Sequence, residues 1–365
     1  MGFFMKNLFS FGMASLLTLA VLTGCDQTQK YDPSKGLDIM NRLQGAESGG
    51  DSLELAKLAI EQNQILKDRK GAMETMGKAV RFCSDIQDSR SRIEAYSQIA
   101  DSYWELNAIV EAKKALSNAM EAYRNWEEEK QALRAKSKKE PTQNELEGFA
   151  EEKMEMLLNL AKAQAQITPV EAQNTLGLAL KETEAFTDLL IKVDKMLDIG
   201  MALGKMQAYE QLVALSEDVQ AYLDGKVPGS AVYAPAADDS DADAESSSDS
   251  EVPEDGSSEE VQADAQQKSS RLSTLAGIFF EMEHKDAKET GLAILTKASD
   301  TAHDIGNRGQ KAITLCSIAL NYVKAGDKEK AKELVAEAEE FAKKADSATR
   351  ESADEAVTEA KAAVE

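Results

Sequence analysis

An internal repeat limits what this chain of 365 residues can fold into. Residues 78–119 match residues 297–338 without a gap, at an offset of 219 positions. A self-match of this length is typical of an array in which each supersecondary unit stacks on the next. The clearest matches are Asp85-Ile86 with Asp304-Ile305, Ile99-Ala100 with Ile318-Ala319, Tyr103 with Tyr322, Ala112 with Ala331, and Ala119 with Ala338.

The spacing of apolar residues in each copy predicts helices. An apolar residue is followed by Ile-Ala three and four positions later, and Tyr comes three positions after that. All four residues therefore lie on one stripe of a helix. Aromatic residues make up only 5% of the chain, which argues against a β-sandwich or barrel. We predict an all-α fold, a solenoid of antiparallel helix pairs. The predicted helices span residues 52–66, 72–87, 91–106, 109–137, 143–166, 169–186, 188–204, 207–223, 271–284, 288–305, 309–325, 328–345 and 348–363.

Local signals support several of these helix starts. Thr142 with Glu145 has the spacing of a capping box, and so does Thr168 with Glu171. Pro169 stands in the first turn of its helix, where proline is favoured. None of the six prolines falls in the interior of a predicted helix.

The pattern in the two matching copies resembles the tetratricopeptide repeat, a pair of antiparallel helices. In that family one face of the first helix carries large, large, small and aromatic residues, and the second helix carries small or apolar ones. The first helices here present Tyr96, Ile99, Ala100 and Tyr103, and again Leu315, Ile318, Ala319 and Tyr322. The second helices present Ala112, Leu116 and Ala119, and again Ala331, Val335 and Ala338.

Weaker copies extend the resemblance and also depart from it. The weaker copies are Leu272, Leu275, Ala276 and Phe279, then Leu157, Leu160 and Ala161, and a trace at Ile199-Gly200. Gln164 stands where the second of these should have its aromatic residue. The family's closing proline is absent, and adjacent copies lie 43 residues apart, against ~34 in the standard repeat. Longer second helices would explain both departures.

The resemblance implies a protein-binding groove on the face formed by the first helices. The residues at the family's peptide-contacting positions are Glu94, Ser97, Asp101, Trp104 and Glu105 in one strong copy, Ile313, Cys316, Leu320, Val323 and Lys324 in the other, and Phe280 in a weaker copy. Trp104 is the candidate anchor, because an exposed aromatic ring beside carboxylates can hold an apolar or cationic side chain. The alternative is that Trp104 packs against the neighbouring repeat.

The first 24 residues have the pattern of a secretory signal peptide, with Lys6 followed by an apolar run over residues 8–22. The run ends in Leu22-Thr23-Gly24-Cys25, which resembles the bacterial lipobox. That resemblance implies cleavage before Cys25, lipidation of its thiol and anchoring to a membrane of the bacterial cell envelope. Asp26 favours the inner membrane under enterobacteria-like sorting, but inner and outer membrane both stay open. The alternative is an ordinary signal peptide that is cleaved elsewhere.

The stretch over residues 224–270 is unlike the rest of the chain. It holds three of the six prolines, and residues 238–264 contain twelve acidic residues and no Lys or Arg. Because such a composition buries too little apolar surface to offset ordering, we predict a disordered acidic linker. The other predicted segments are a signal peptide (1–24), a lipidated N-terminal tether (25–51), a helical repeat array (52–223), and C-terminal repeats with a capping helix (271–365). Whether the two arrays stack is open.

Charge and motifs favour a binding protein over an enzyme. The formal net charge is −23, and no basic groove is evident, so we expect no nucleic-acid partner. The chain has no G-x-S-x-G, H-E-x-x-H or dinucleotide fingerprint, and its two histidines are isolated. Residues 200–205 resemble a P-loop, but three residues separate the glycines where four are needed, and the stretch has a helical pattern. We expect no cofactor and no metal.

Two smaller features have structural explanations. Cys83 and Cys316 are interpreted as small apolar packing residues. A basic cluster over residues 130–139 could contact anionic lipid or an acidic partner, although an exposed helix end whose cations suit the helix dipole explains it more simply.

The function expected from these features is that of a membrane-anchored envelope lipoprotein. It would be a non-catalytic scaffold or adaptor whose repeats bind an envelope protein or peptide. Two alternatives stay open, a structural or self-associating spacer without a peptide groove and an enzyme with an unrecognised helical active site.

Overall fold

The computed structural model describes residues 33–137, 139–226 and 264–365. These residues form fourteen α-helices and one short 3-10 helix at Thr183–Ala185, and no strand. The all-α prediction is therefore confirmed. The α-helices are α1 (Pro33–Gly49), α2 (Ser52–Leu66), α3 (Arg69–Ser84), α4 (Ser89–Glu105), α5 (Ile109–Lys136), α6 (Gln143–Ile167), α7 (Pro169–Glu182), α8 (Leu189–Lys205), α9 (Tyr209–Leu223), α10 (Ala265–Phe280), α11 (Ala287–Ala302), α12 (Arg308–Lys324), α13 (Lys328–Lys343) and α14 (Arg350–Val364).

The helices are arranged as a solenoid of antiparallel pairs. The six pairs are α2–α3, α4–α5, α6–α7, α8–α9, α10–α11 and α12–α13, and the first helix of each pair packs against the first helix of the next. At one end α1 packs on α2, and at the other α14 packs on both α12 and α13. One unpaired helix therefore flanks the six pairs at each end. We call the surface formed by α2, α4, α6, α8, α10 and α12 the A face.

Successive first helices run parallel, which gives the solenoid two distinct edges. Near the start of α6, Glu147 accepts a hydrogen bond from the Thr187 hydroxyl just before α8 (2.7 Å). At the other end of α8, the Glu283 N–H donates to the Gln207 side chain (2.7 Å). The connections inside the pairs therefore share one edge, the turn edge. The connections between pairs share the opposite edge, which we call the linker edge because α9 ends and α10 begins there.

Small residues let the two helices of each pair approach closely. In every pair a small residue follows a large one in the middle of the first helix, and each of these small residues is buried. They are Ala59, Ala100, Ala161, Gly200, Ala276 and Ala319. The large-then-small part of the pattern is thus present in all six pairs, whereas its aromatic residue is present in three of them, as Tyr103, Phe279 and Tyr322.

A buried hydrogen bond replaces the aromatic residue in two pairs. The Thr175 hydroxyl of α7 donates to the side-chain oxygen of Gln164 on α6 (2.7 Å). In the first pair, the Thr75 hydroxyl donates in the same way to Gln62 (3.0 Å). Both glutamines are buried. Because a buried amide needs a partner, the threonine satisfies the side-chain oxygen of the glutamine in both pairs.

All thirteen predicted helices are present, as α2 to α14, and the differences lie at segment boundaries. The predicted tether over 25–51 contains α1, whose Arg42 forms ion pairs with Glu54 and Glu61 of α2 (2.8 Å each). The predicted linker over 224–270 is too long at its end, because α10 begins at Ala265. The signal peptide, Cys25 and residues 227–263 of the linker lie outside the described residues.

One of the two predicted capping boxes is present in the structure, and the other is not. Thr142 and Glu145 form the predicted capping box. Thr168 makes no side-chain capping bond, so the capping box predicted there is wrong. The reason is that a single residue separates α6 from α7, and the Thr168 N–H is bound to the Gln164 carbonyl of the preceding helix (2.7 Å). Pro169 does occupy the first turn, as predicted.

The two arrays stack into one solenoid across the linker. The core continues from α8 and α9 into α10 and α11. Arg271 on α10 pairs with Asp194 on α8 (2.7 Å), and the Tyr209 hydroxyl lies 2.8 Å from that of Thr290. A Cβ at Gly204 would lie 2.6 Å from Cγ2 of Ile278, so only glycine allows this approach. The glycines of the P-loop-like stretch are therefore helix-packing residues inside α8.

Candidate functional site

Two cavities lie side by side on the A face. The first, between α4 and α6, has a volume of about 400 Å³, and the second, between α6 and α8, has about 510 Å³. The first is lined by Arg90, Ile93, Glu94, Ser97, Gln98, Asp101, Glu155, Met156, Asn159, Lys162 and Ala163. The second is lined by Asn144, Glu147, Gly148, Glu151, Phe186, Ile191, Asp194, Lys195 and Asp198.

Three of the predicted groove residues come together in the first cavity. Glu94, Ser97 and Asp101 line it from α4. Ser97 is buried, and its hydroxyl donates to the Ile93 carbonyl of the preceding turn (3.0 Å). Glu105, one turn beyond Asp101, is exposed.

The opposite wall of this cavity was not predicted. It consists of α6 residues that include Glu155, Asn159 and Lys162. The signal for them was present, because α6 carries one of the weaker copies. In that copy, Glu155 and Lys162 stand at the family's peptide-contacting positions.

Trp104 and Phe280 do not line either cavity. Trp104 is half-buried and packs against the hydrophobic core of the N-terminal pairs, which is the alternative that the sequence left open for it. Phe280 lies against α11, since a Cβ at Gly291 would meet its ring carbon Cε1 at 2.5 Å. Both rings are therefore used in packing.

The groove residues predicted on α12 are largely covered. Cys316 is only 2% exposed, so the prediction that it lines an open groove is wrong. The reason is that α14 packs along α12 and places Glu359 close enough to raise the pKa of the Cys316 thiol further. Ile313, Leu320 and Val323 are half-buried against the core, and Lys324 is exposed.

The first cavity is rich in charge, and part of that charge is not neutralised. Arg90 of α4 forms an ion pair with Glu155 of α6 across the cavity. Asp101 forms no ion pair or hydrogen bond with another described residue. Burial raises the pKa of the Asp101 carboxyl, and the nearby charge of Glu105 raises it further. Lys162 is exposed and is likewise unpaired among the described residues.

Most charges of the second cavity are already neutralised. Lys195 pairs with Glu151 (2.5 Å), and Asp194 pairs with Arg271. Glu147 accepts hydrogen bonds from Gln143 and Thr187, which lower the pKa of its carboxyl. Asp198 is the exception, because burial raises the pKa of its carboxyl, although Lys195 and Lys162 oppose the shift. The first cavity therefore has more unsatisfied charge to offer a partner.

A third cavity of about 440 Å³ lies at the linker edge, beside the predicted basic cluster. Lys130 pairs with Glu152 (3.3 Å), and the Arg134 guanidinium lies 3.8 Å from the centre of the Phe149 ring. Lys138 lies outside the described residues. Because Lys130 and Arg134 already contact other side chains of the protein, this cluster is a weaker candidate for binding.

The described residues contain neither a metal-binding cluster nor an exposed thiol. Among residues 33–137, 139–226 and 264–365, no group of three His, Cys, Asp or Glu side chains could hold a metal ion. Cys83 and Cys316 are free and buried. Burial raises the pKa of the Cys83 thiol to about 12 and that of the Cys316 thiol to about 11, so both stay protonated and unreactive at neutral pH.

Comparison with known proteins does not assign the chain to a family. No protein-family model matches it, and no curated protein is recognisably similar to it. Within the described part of the chain, no helix has the length and apolar character needed to span a bilayer. The interpretation of the site therefore depends on its own geometry.

Proposed function

We propose that this protein is a non-catalytic scaffold whose tetratricopeptide-like solenoid binds a partner protein in the cavity between α4 and α6. The observation that carries the proposal is this cavity of about 400 Å³, which is lined by Asp101, an exposed carboxylate that is unpaired among the described residues. A cavity between two rigid helices can hold an extended peptide without prior rearrangement.

The charges of the cavity indicate the chemistry of the partner. Asp101 is exposed at the cavity wall, where partial desolvation and the charge of Glu105 both raise the pKa of its carboxyl. A lysine or arginine of the partner placed beside Asp101 would oppose both effects and form a charge-assisted hydrogen bond. Lys162 on the opposite wall would pair with a carboxylate of the same segment. The expected ligand is thus a peptide segment of mixed charge with a basic residue at its centre.

The location that we propose follows from the sequence alone. Cleavage before Cys25 and lipidation of its thiol would anchor the protein to the inner or outer membrane of a bacterial cell envelope. Several acyl chains on one residue exceed the single chain that gives only marginal membrane binding. Loss of membrane association in a Cys25→Ala variant would test this part of the proposal.

Site-specific photo-crosslinking in cells tests the groove. A photoreactive residue at Asn159, which lines the cavity, should form an adduct of one defined mass. The same residue at Leu178, which is exposed on the second helix α7, is the matched control and should form none. Adding Asp101→Lys should abolish the adduct at Asn159 and leave the helical circular dichroism unchanged. Equal adducts at both positions, or an adduct that survives Asp101→Lys, would contradict the proposed site.

A further inference from the structure

Ion pairs on the A face connect each first helix between α4 and α10 to the next. The three pairs are Arg90 with Glu155, Glu151 with Lys195, and Asp194 with Arg271. Each pair crosses the gap between two helices that are not consecutive in the chain. The charges of these six residues are therefore satisfied within the protein, and a partner that leaves them in place meets a prearranged surface.

Three other charges on this surface have no partner. Among the charged residues that line the two A-face cavities, Asp101, Lys162 and Asp198 alone form neither an ion pair nor a hydrogen bond within the described part of the chain. They lie on α4, α6 and α8, one on each of three successive first helices. The unpaired charges therefore alternate along the A face as negative, positive and negative.

The surroundings of the two carboxylates distinguish them from most acidic residues of the protein. In the described part of the chain, desolvation raises the pKa of three carboxyl groups, those of Asp101, Asp198 and Asp218. Asp101 and Asp198 line the A-face cavities, whereas Asp218 lies on the second helix α9. A cationic group beside Asp101 or Asp198 would oppose the effect of desolvation. Both positions therefore favour a basic side chain of a ligand.

Lys162 connects the two cavities. Its side chain is exposed and lines the first cavity. Its charge is also close enough to Asp198 in the second cavity to lower the pKa of that carboxyl, although the net shift of Asp198 is upward. A ligand that follows the three unpaired charges would thus pass from the first cavity over α6 into the second.

The distance between helices sets the spacing of residues in such a ligand. Packed helix axes lie about 8–10 Å apart, so Asp101 and Asp198, two first helices apart, are separated across the A face by about 16–20 Å. A polyproline II chain has three residues per turn and advances about 3.1 Å per residue, so one turn covers about one helix spacing. Residues i, i+3 and i+6 of an extended ligand would therefore face α4, α6 and α8 in turn.

The acidic stretch of this chain does not have the chemistry of that ligand. Residues 238–264 contain twelve acidic residues and no Lys or Arg. Asp101 and Asp198 would repel such a segment, and Lys162 alone would attract it. The charges of the A face therefore select a segment of another protein over this linker.

We propose that the A face binds an extended peptide segment across both cavities, with basic residues at positions i and i+6 against Asp101 and Asp198 and an acidic residue at i+3 against Lys162. The proposal rests on the proposed function, and it extends the ligand beyond the basic residue that is expected at Asp101. The cavity between α6 and α8 then belongs to the same binding site as the cavity between α4 and α6.

Synthetic peptides test the spacing. The probe is Lys-Pro-Pro-Glu-Pro-Pro-Lys, with blocked ends and a fluorescein label, in which the prolines favour polyproline II. The control peptide Lys-Lys-Glu-Pro-Pro-Pro-Pro has the same composition and net charge but lacks the spacing. Fluorescence anisotropy with the full chain at low ionic strength should give an affinity about tenfold higher for the spaced peptide. Equal affinities would show that net charge alone matters and would overturn the proposal.

Substitutions of the carboxylates test the second cavity. Asp101→Asn and Asp198→Asn should each weaken binding of the spaced peptide by about threefold to fivefold. Asp218→Asn on α9 is the matched control, because it neutralises a carboxyl whose pKa desolvation also raises, and it should leave the affinity unchanged. Asp198→Lys should bind Lys-Pro-Pro-Glu-Pro-Pro-Glu better than the original probe. Unchanged affinity in Asp198→Asn, or no such preference in Asp198→Lys, would overturn the assignment of the second cavity.

A crosslink in the second cavity separates failure of this inference from failure of the proposed function. A photoreactive residue at Ile191, which lines that cavity and is 42% exposed, should give in cells an adduct of the same mass as the one at Asn159. Asp198→Lys should abolish the adduct at position 191. An adduct at 159 but none at 191 would overturn the inference and leave the proposed function intact. No adduct at either position would overturn both.

Discussion

The two strong repeat copies have the same core but different outer surfaces. Ile99-Ala100 in α4 and Ile318-Ala319 in α12 are all fully buried, as the sequence match between them implies. At the outward positions, Asp101 and Leu320 correspond, yet Asp101 faces an open cavity and Leu320 packs against the core. The neighbour explains the difference, since α6 leaves a cavity beside α4 whereas α14 packs along α12. A shared repeat pattern therefore predicts helix packing better than it predicts binding.

The largest loss of stability is expected at the buried positions that the two copies share. Ile99→Ala and Ile318→Ala each delete a fully buried side chain at corresponding positions. Each should lower the free energy of unfolding by about 2–5 kcal/mol, since the loss of buried apolar contacts leaves a cavity. Urea denaturation followed by circular dichroism measures both. A near-neutral effect at either site would mean that the two copies do not share a core.

Smaller stability changes are expected at the outward positions where the two copies differ. The change should be larger at Leu320 than at Asp101. Leu320→Asp places a carboxylate in a half-buried apolar site and should cost about 1–3 kcal/mol of unfolding free energy. The reciprocal change, Asp101→Leu, removes an unpaired and partly desolvated carboxylate and should leave stability within about 0.5 kcal/mol. It should also abolish the crosslink at Asn159. Equal destabilisation by both changes would show that the two outer surfaces are equivalent.

Two glycines test whether both copies belong to one continuous stack. A Cβ at Gly177 in α7 would meet nothing within 4 Å, so Gly177→Ala should stabilise the protein by about 0.5–1 kcal/mol. Gly204→Ala should destabilise it, because the new Cβ would collide with Ile278 across the linker. Thermal unfolding measures whether each substitution raises or lowers the midpoint temperature of unfolding. If Gly204→Ala is also stabilising, the close contact between α8 and α10 does not form in solution.

The smallest effect is a dependence of folding stability on pH, which Asp101 should give to the α4 copy alone. Burial raises the pKa of the Asp101 carboxyl above its ordinary value of 3.8, so the folded protein holds this proton more tightly than the unfolded chain does. The contribution of Asp101 to stability therefore falls as pH rises from below 3.8 through the raised pKa. Relative to Asp101→Asn, the wild-type protein should lose stability over that window. Parallel stability curves for the two proteins would show that Asp101 is not desolvated.

Much of the fold follows from local sequence signals, and the exceptions have physical causes. Helix α1 was missed because its buried residues Ile39, Leu43 and Ala46 form a short stripe without a copy elsewhere in the chain. The pair α6–α7 looked irregular because Gln164 replaces an aromatic residue, and only the structure places Thr175 beside it. On the candidate site, Glu94, Ser97 and Asp101 of the α4 wall were predicted, whereas the rest of that wall and the α6 wall were not.

The sequence by itself determined the helical class, the repeat and most helix boundaries. These features depend on residues a few positions apart, where periodicity and capping operate. The tertiary structure alone decided that the two arrays form one solenoid, that Cys316 is covered and that Asp101 is left facing a cavity. Each of these depends on contacts between helices far apart in sequence, such as Gly204 with Ile278 across the linker. Periodicity tells which face of a helix is buried, but the neighbouring helix decides which of the remaining positions stay open to a partner.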